Sequence, residues 1–146
     1  MPPVLYDLVR KMRPSPPPKR FHSLFQIEEK LSHILDYDNG FFVELGANDG
    51  VTQSNSLFFE RERNWRGVLI EPAMNKYLEC VKNRDPDNHF VCAACVPFDF
   101  TEECVWLEYY DLMTYTADLE KDIPDLDKHT ETALQFMNDG EKPLRF

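Results

Sequence analysis

The chain has 146 residues, enough for one domain with a packed core, and 42% of them are hydrophobic. Its formal net charge is −10, which makes nucleic acid a poor main partner because phosphates would be repelled. No apolar run reaches the ~18 residues of a membrane-crossing helix, and Arg10, Lys11 and Arg13 are not followed by the apolar segment of a signal peptide; a soluble, cytoplasmic protein is expected.

Residues 1–20 read as a basic arm. They hold six of the eleven prolines, including Pro16-Pro17-Pro18, and five basic residues against Asp7 alone. Such a run is semi-rigid polyproline and cannot be helix interior. A short helix has room before it, from Val4 to Met12.

From Phe21 to Leu35 the apolar residues Phe21, Leu24, Phe25, Ile27, Leu31, Ile34 and Leu35 recur at helical spacing, with Glu28, Glu29 and Lys30 on the other face. Asn39-Gly40 closes this helix with a turn. Phe41–Leu45 is a short apolar run suited to a buried parallel strand. Residues 46–50 form a turn, and Thr52–Arg63 reads as a helix with Leu57, Phe58 and Phe59 inward and Glu60–Arg63 outward. Gly67–Ile70 is a second strand. Ala73–Arg84 is a helix presenting Met74, Tyr77, Leu78 and Val81 on one face. His89–Val96 is a third strand, and Cys104–Tyr109 alternates well enough for a fourth. Residues 115–146 read as an acidic tail with one weak helix over 131–138.

Strands that alternate with helices imply a parallel sheet with right-handed crossovers. The expected fold class is α/β, a Rossmann-like three-layer domain over residues 21–114, present as one half of a doubly wound sheet. The expected strand order is 3-2-1. Strand one then lies at an edge, where Cys104–Tyr109, the tail or a second chain should cover it, since an open apolar edge invites association.

Four cysteines sit at 80, 92, 95 and 104. Cys92-Ala93-Ala94-Cys95 has the C-x-x-C spacing. Residues three apart in a strand point to opposite faces, and no second pair or spaced histidine completes a zinc set. Buried, free strand cysteines and no metal are expected. None of the four histidines is paired with another ligand.

The chemistry concentrates between Phe41 and Pro72. Gly46 and Gly50 bracket the turn after strand one, and Asn48 between them tolerates the left-handed region. The turn's N–H groups would face a polar or anionic ligand group. Glu71 stands 21 residues after Gly50, at the carboxyl end of strand two, where a carboxylate can accept the hydroxyls of a ribose. A dinucleotide fingerprint would want glycines where Asn48 and Val51 stand, and Glu44 would repel a pyrophosphate. S-adenosylmethionine carries no phosphate but has an ammonium and a sulfonium, so two carboxylates flanking the turn favour it over NAD.

The run Phe42-Val43-Glu44-Leu45-Gly46-Ala47-Asn48-Asp49-Gly50-Val51-Thr52-Gln53-Ser54-Asn55-Ser56, followed by Trp65-Arg66-Gly67-Val68-Leu69-Ile70-Glu71-Pro72, resembles the FkbM-type family of S-adenosylmethionine-dependent methyltransferases. Asn83-Arg84 and Cys92-Ala93-Ala94 resemble its continuation, and the likeness covers about residues 38–114. It implies a class I methyltransferase fold. It implies that Glu44, Gly46, Ala47, Asn48, Asp49 and Gly50 line the methionine end of the cofactor and that Glu71 and Pro72 hold the ribose side. Cys92, Ala93 and Ala94 would lie by the adenine, and Gln53, Ser54 and Asn55 would face the site. The implied reaction is O-methylation of a small molecule or glycan. The family continues into a second half of the sheet, with a further acidic strand motif that this chain lacks, so no catalytic base is named. A truncated, non-catalytic binding module is the alternative, followed by a nucleotide- or NAD-dependent oxidoreductase and an interaction protein using the proline-rich arm.

Overall fold

The computed structural model describes residues 20–116, 124–137 and 143–145. The helix expected over Val4–Met12 lies outside them. Among the described residues the chain is α/β, with four α-helices, a three-stranded parallel sheet and a second, antiparallel sheet.

The parallel sheet has β1 (Phe41–Leu45), β2 (Arg66–Ile70) and β3 (His89–Val91). Its order is β1-β2-β3, with β2 central, as the alternation of elements requires. Val43 stands beside Val68, and Ile70 beside Val91. The connections are α2 (Leu57–Arg63) and α3 (Met74–Asn83). The first helix, α1 (Ile27–Ser32), packs on α2 and follows a 3-10 turn at Leu24–Gln26. Phe42, Phe58, Phe59, Trp65, Leu69 and Cys80 form the core between the sheet and these helices.

Two expected helices are shorter because a buried carboxylate claims the backbone. Glu28, read as outward-facing, is fully buried. Its carboxylate accepts from the amides of His22, Ser23 and Phe58, while Ser23 Oγ accepts from the Glu28 amide at 3.0 Å. This reciprocal cap, of the capping-box kind, fixes the helix start and turns Leu24, Phe25 and Ile34 out to solvent. In the same way α2 begins at Leu57 rather than Thr52, because residues 54–56 are bound to Glu44. On α3 the buried positions are Lys76 and Cys80, so Met74, Leu78 and Val81 face outward, opposite to the expected stripe.

The third strand stops at Val91 instead of Val96. Its ladder partner ends first: Glu71 N donates to Val91 O at 3.1 Å, and Pro72 has no N–H to continue. Residues 92–98 leave the sheet, so Cys92 and Cys95 are exposed loop residues and Cys104 is exposed as well. Cys92 and Cys95 are therefore not the buried strand thiols expected of them; of the four free cysteines, Cys80 is the buried one.

The fourth strand, β4 (Leu107–Tyr109), does not join β1. It pairs antiparallel with β5 (Tyr115–Thr116) and β6 (Leu144–Arg145). Helix α4 (Leu126–Phe136) is longer than the expected 131–138, starts from an Asp125 cap on the Lys128 amide, and contacts the 3-10 turn at Asp111–Met113. Among the described residues β2 is the one strand paired with β1. The outward side chains of β1, Phe41, Val43 and Leu45, are 63%, 60% and 61% exposed. No described helix is long and apolar enough to cross a membrane.

Candidate functional site

The turn after β1 follows its glycines. Gly46 and Gly50 have φ of +68° and +80°, and Asn48 joins them at +48°. A Cβ on Gly46 would meet nothing within 4 Å, so this residue faces open space. A Cβ on Gly50 would lie 2.7 Å from Arg84 Cγ and 3.0 Å from Cys80 Sγ. Glycine is needed there for conformation and for room.

The turn's amides are almost all spent inside the protein. Gly46 N and Ala47 N donate to Ile70 O at 2.9 and 3.0 Å, and Gly50 N donates to Ala47 O at 2.8 Å. Asn48 N donates to Glu71 Oε2 and Asp49 N to Asn48 Oδ1. Val51 N and Thr52 N both donate to Asp49 Oδ1. Burial opposes ionisation of Asp49, but the bonds from Thr52 and Val51 outweigh it and hold this carboxyl below its usual range. The expectation that these N–H groups face a ligand is therefore corrected: no nest of free donors is left for a phosphate.

Glu44 is also corrected. It points to the inner face of β1 and is buried. Its carboxylate accepts from Ser54 Oγ at 3.0 Å, Asn55 N at 2.8 Å, Ser56 Oγ at 2.5 Å and Arg84 Nη1 at 3.1 Å. Ser54 and the Asn55 backbone thus serve Glu44 from beneath the turn. Arg84 has no side-chain exposure and reaches Glu60 with Nε at 2.9 Å and Gly50 O at 3.1 Å. Glu60, read as outward, is buried on α2 to receive it, together with Asn88 Nδ2 at 2.6 Å. Gln53 has φ +59° and bridges to Ser23, and Ala47 is in the core.

Glu71 is at the tip of β2 as expected, and its two oxygens accept from Asn48 N at 2.8 Å and Ala73 N at 2.9 Å. Only 7% of the residue is exposed. Burial raises its pKa above the ordinary 4.5; the two backbone bonds oppose this, and Asp111 adds to the rise. Asp111 lies close by: Asn48 Nδ2 donates to its Oδ1 at 2.8 Å, and Lys76 Nζ is 3.3 Å from the same oxygen. Burial lowers the Lys76 pKa, but Asp111, with Tyr109 and Glu79, more than restores it and the net shift is upward.

Beside this cluster, at the carboxyl ends of β1 and β2, is a cleft of about 370 Å³, within the usual range for a small-molecule site. Its floor is Leu45, Gly46, Ile70 and Pro72. One wall is Ala93, Ala94 and Cys95, and the other is Leu107 with Thr114, Tyr115 and Thr116. Tyr115 stacks on Tyr110 with ring centroids 5.9 Å apart. A neighbouring cleft shares Pro72, Ala93, Ala94 and Leu107 and adds Cys92. Burial, and then Glu71, raise the Cys92 pKa.

Of the expected site residues, Gly46, Pro72, Ala93 and Ala94 thus meet at one cleft, with Cys92 on its neighbour. Glu44, Ala47, Asn48, Asp49, Gly50, Gln53, Ser54, Asn55 and Glu71 do not line either cleft. Side chains alternate along a strand, so Leu45 and Ile70 face the cleft while Glu44 and Leu69 face the core. The two carboxylates do not frame a shared pocket. Leu107, Tyr115, Lys76 and Arg84 were missed. Arg84 carried one usable signal, a charge directly after an otherwise amphipathic helix; the others depend on contacts across the fold. Among the described residues no cluster of His, Cys, Asp and Glu could hold a metal ion. No family model matches the sequence, and neither the curated proteins nor the solved structures compared with it include a match.

Proposed function

We propose that the chain binds S-adenosylmethionine at the β1–β2 cleft and belongs to a methyltransferase acting on a hydroxyl of a small molecule or glycan. The observation that carries this reading is the consumption of the turn's amides by Ile70, Glu71, Ala47, Asn48 and Asp49. A Rossmann-like sheet binds ligands outside the carboxyl ends of its strands, and a turn without free donors suits a nucleoside lacking phosphates over a dinucleotide. Glu71 at the tip of β2 is the group suited to a ribose, and the apolar wall of Ala93 and Ala94 suits an adenine. When bound, S-adenosylmethionine supplies an electrophilic methyl group: an oxygen–carbon bond forms as the carbon–sulfur bond breaks, and the hydroxyl proton passes to solvent. The chain's residues would contribute orientation, which is worth much of such a barrier.

One observation favours a second reading, a non-catalytic binding module. The cleft lining contains no carboxylate, histidine or lysine, so no described residue lining it is an obvious acceptor for the hydroxyl proton.

Thermal unfolding with S-adenosylhomocysteine tests cofactor binding. At a hundred times Kd the ligand should stabilise the chain by about 2.7 kcal/mol, a rise of roughly 5–10 °C. Ala93→Trp should abolish the rise by filling the cleft, and NAD should give none. No rise at millimolar S-adenosylhomocysteine refutes the proposal. Binding without methyl transfer to any hydroxyl acceptor selects the second reading.

A further inference from the structure

Glu71 stands where a ligand's hydroxyls should find it, yet it is 7% exposed. Close beside it is the tip of the β4–β5 hairpin, Tyr110–Thr114: Asp111 there accepts from Asn48 Nδ2 at 2.8 Å, and the Asn48 amide donates to Glu71. The hairpin pairs Leu107 with Thr116 and Glu108 with Tyr115, and its Leu107, Tyr115 and Thr116 also supply the outer wall of the cleft. Lid and wall are one piece of chain.

We infer that the Tyr110–Thr114 tip is a strap clasped by Asp111, and that this clasp determines whether the diol of a nucleoside reaches Glu71. The inference rests on the proposed reading of Glu71 as the ribose-side carboxylate. Three observations carry it. Asp111 is the tip's link to the turn and to α3, through Asn48 Nδ2 at 2.8 Å and Lys76 Nζ at 3.3 Å. The Asp111 and Lys76 side chains are only 10% and 9% exposed, so the link is shielded from water and salt. Asp111 also has φ +51°, a region that L-residues enter at a cost even when aspartate tolerates it. The closed tip is therefore held by side-chain bonds against backbone preference. Its own framing is local: Thr114 Oγ1 donates to Asp111 O at 2.7 Å and accepts from Tyr110 N at 3.1 Å. The tip also packs against α4, where His129 Nε2 lies 3.1 Å from Met113 O; tip and α4 can thus lift together on β4 and β5 once the Asp111 carboxylate is released.

Clasped, the cleft offers a ligand its apolar walls, and Glu71 is spent on Asn48 N and Ala73 N. Unclasped, Glu71 gains solvent access, and its remaining lone pairs can accept from two adjacent hydroxyls. The clasp is thus a specificity device: it sets how strongly the site prefers a riboside to the same nucleoside without its diol.

The test compares adenosine with 2′,3′-dideoxyadenosine by calorimetry on the full chain, with hydrogen exchange at the Asn48 and Ala73 amides as a ligand-free readout. Asp111→Ala should tighten adenosine about tenfold, the size of one charge-assisted hydrogen bond gained, and leave the dideoxy compound unchanged. Glu71→Gln in the same background should erase the gain. Exchange at Asn48 should quicken several-fold. Lys76→Gln, which loosens the clasp from α3, should act in the same direction and serves should Asp111→Ala fail to fold. Equal effects on both nucleosides, or unchanged exchange at Asn48, overturn the clasp. If neither nucleoside binds wild type or variants, the cofactor reading fails, and the exchange result alone decides whether Asp111 holds the strap.

Discussion

Replacing Arg84 with methionine should cost 3–5 kcal/mol of stability. The guanidinium is completely buried between Glu44 and Glu60, at 3.1 and 2.9 Å, and both carboxylates are nearly inaccessible. It also donates to Gly50 O at 3.1 Å, Ser54 Oγ at 3.3 Å and Ser56 Oγ at 2.9 Å. Methionine keeps much of the volume, so little cavity cost arises. What remains is two buried carboxylates without their cation, a loss of about 3–5 kcal/mol for a broken buried pair. A domain of this size holds only about 5–15 kcal/mol in total. With a urea slope of about 2 kcal/mol/M, the midpoint followed by far-UV circular dichroism should fall by roughly 1.5–2.5 M. Adding Glu44→Gln and Glu60→Gln to Arg84→Met should recover part of the loss, because no uncompensated charge is then left. A loss below about 1 kcal/mol for Arg84→Met would refute the claim that this cation holds α2, α3 and the turn together.

Glu71 gives a pH signature. Its folded pKa is raised above the ordinary 4.5, so between these values the native state binds more protons than the unfolded chain. Its contribution to stability therefore falls as pH rises from about 4.5 through the folded pKa, and Glu71→Gln should show a flatter melting temperature over that window; parallel pH profiles would contradict this. Cys80 is buried and its pKa is pushed up to about 12, whereas Cys92, Cys95 and Cys104 are exposed. A thiol reagent such as dithionitrobenzoate should titrate three sulfurs at once and the fourth only at the rate of unfolding; four equal rates would be inconsistent with the core. The edge of β1 that pairs with no described strand should pair antiparallel with β1 of a second copy, centred on Val43, which sets Phe41 against Leu45 of the partner subunit. Sedimentation equilibrium should show concentration-dependent self-association that Val43→Lys abolishes while the far-UV spectrum is unchanged, and a wild-type monomer at tens of micromolar would end this expectation.

The sheet was legible in the sequence because its signal is local. Phe41–Leu45 is an apolar run of strand length, Gly46 and Gly50 bracket a turn, and Val68-Leu69-Ile70 is another short apolar run; each can be read within a few residues. The helix faces were not, because amphipathic reading places charges in water. Here Glu28, Glu44, Glu60, Lys76 and Arg84 are all buried, each satisfied by partners from other elements. Arg84 meets Glu44 40 residues away and Glu60 24 residues away. No periodicity in one segment reports such a pairing. The third strand was over-extended for a related reason: its end depends on where β2 runs out, at Pro72, rather than on residues 92–96 themselves. The cleft wall from Leu107 and Tyr115 was invisible because β4 turned from the parallel sheet to pair with β5.

The placement of Glu44 changes the electrostatic argument as well as its details. Two carboxylates around a turn would attract a cation only if both faced it. The strand's alternation sends Glu44 to the core, where Arg84 neutralises it, and leaves Leu45 on the cleft. The acidic groups nearest the site are then Glu71 and Asp111, and they share a single cation, Lys76. A phosphate brought there would meet carboxylates with no free backbone donor to offset them, so the proposed preference for S-adenosylmethionine over a dinucleotide does not need Glu44. It follows from the turn's own hydrogen bonds. By the same reasoning, attraction of a sulfonium rests on Glu71 and Asp111 alone. Raising ionic strength should weaken S-adenosylmethionine more than uncharged adenosine, because the ligand's own charges approach these carboxylates through solvent, where salt screens the attraction, while contact with apolar walls is not screened. Equal salt dependence of the two ligands, measured by calorimetry between 50 mM and 500 mM salt, would show that no carboxylate contributes to recognition and that the cleft binds by its apolar surface.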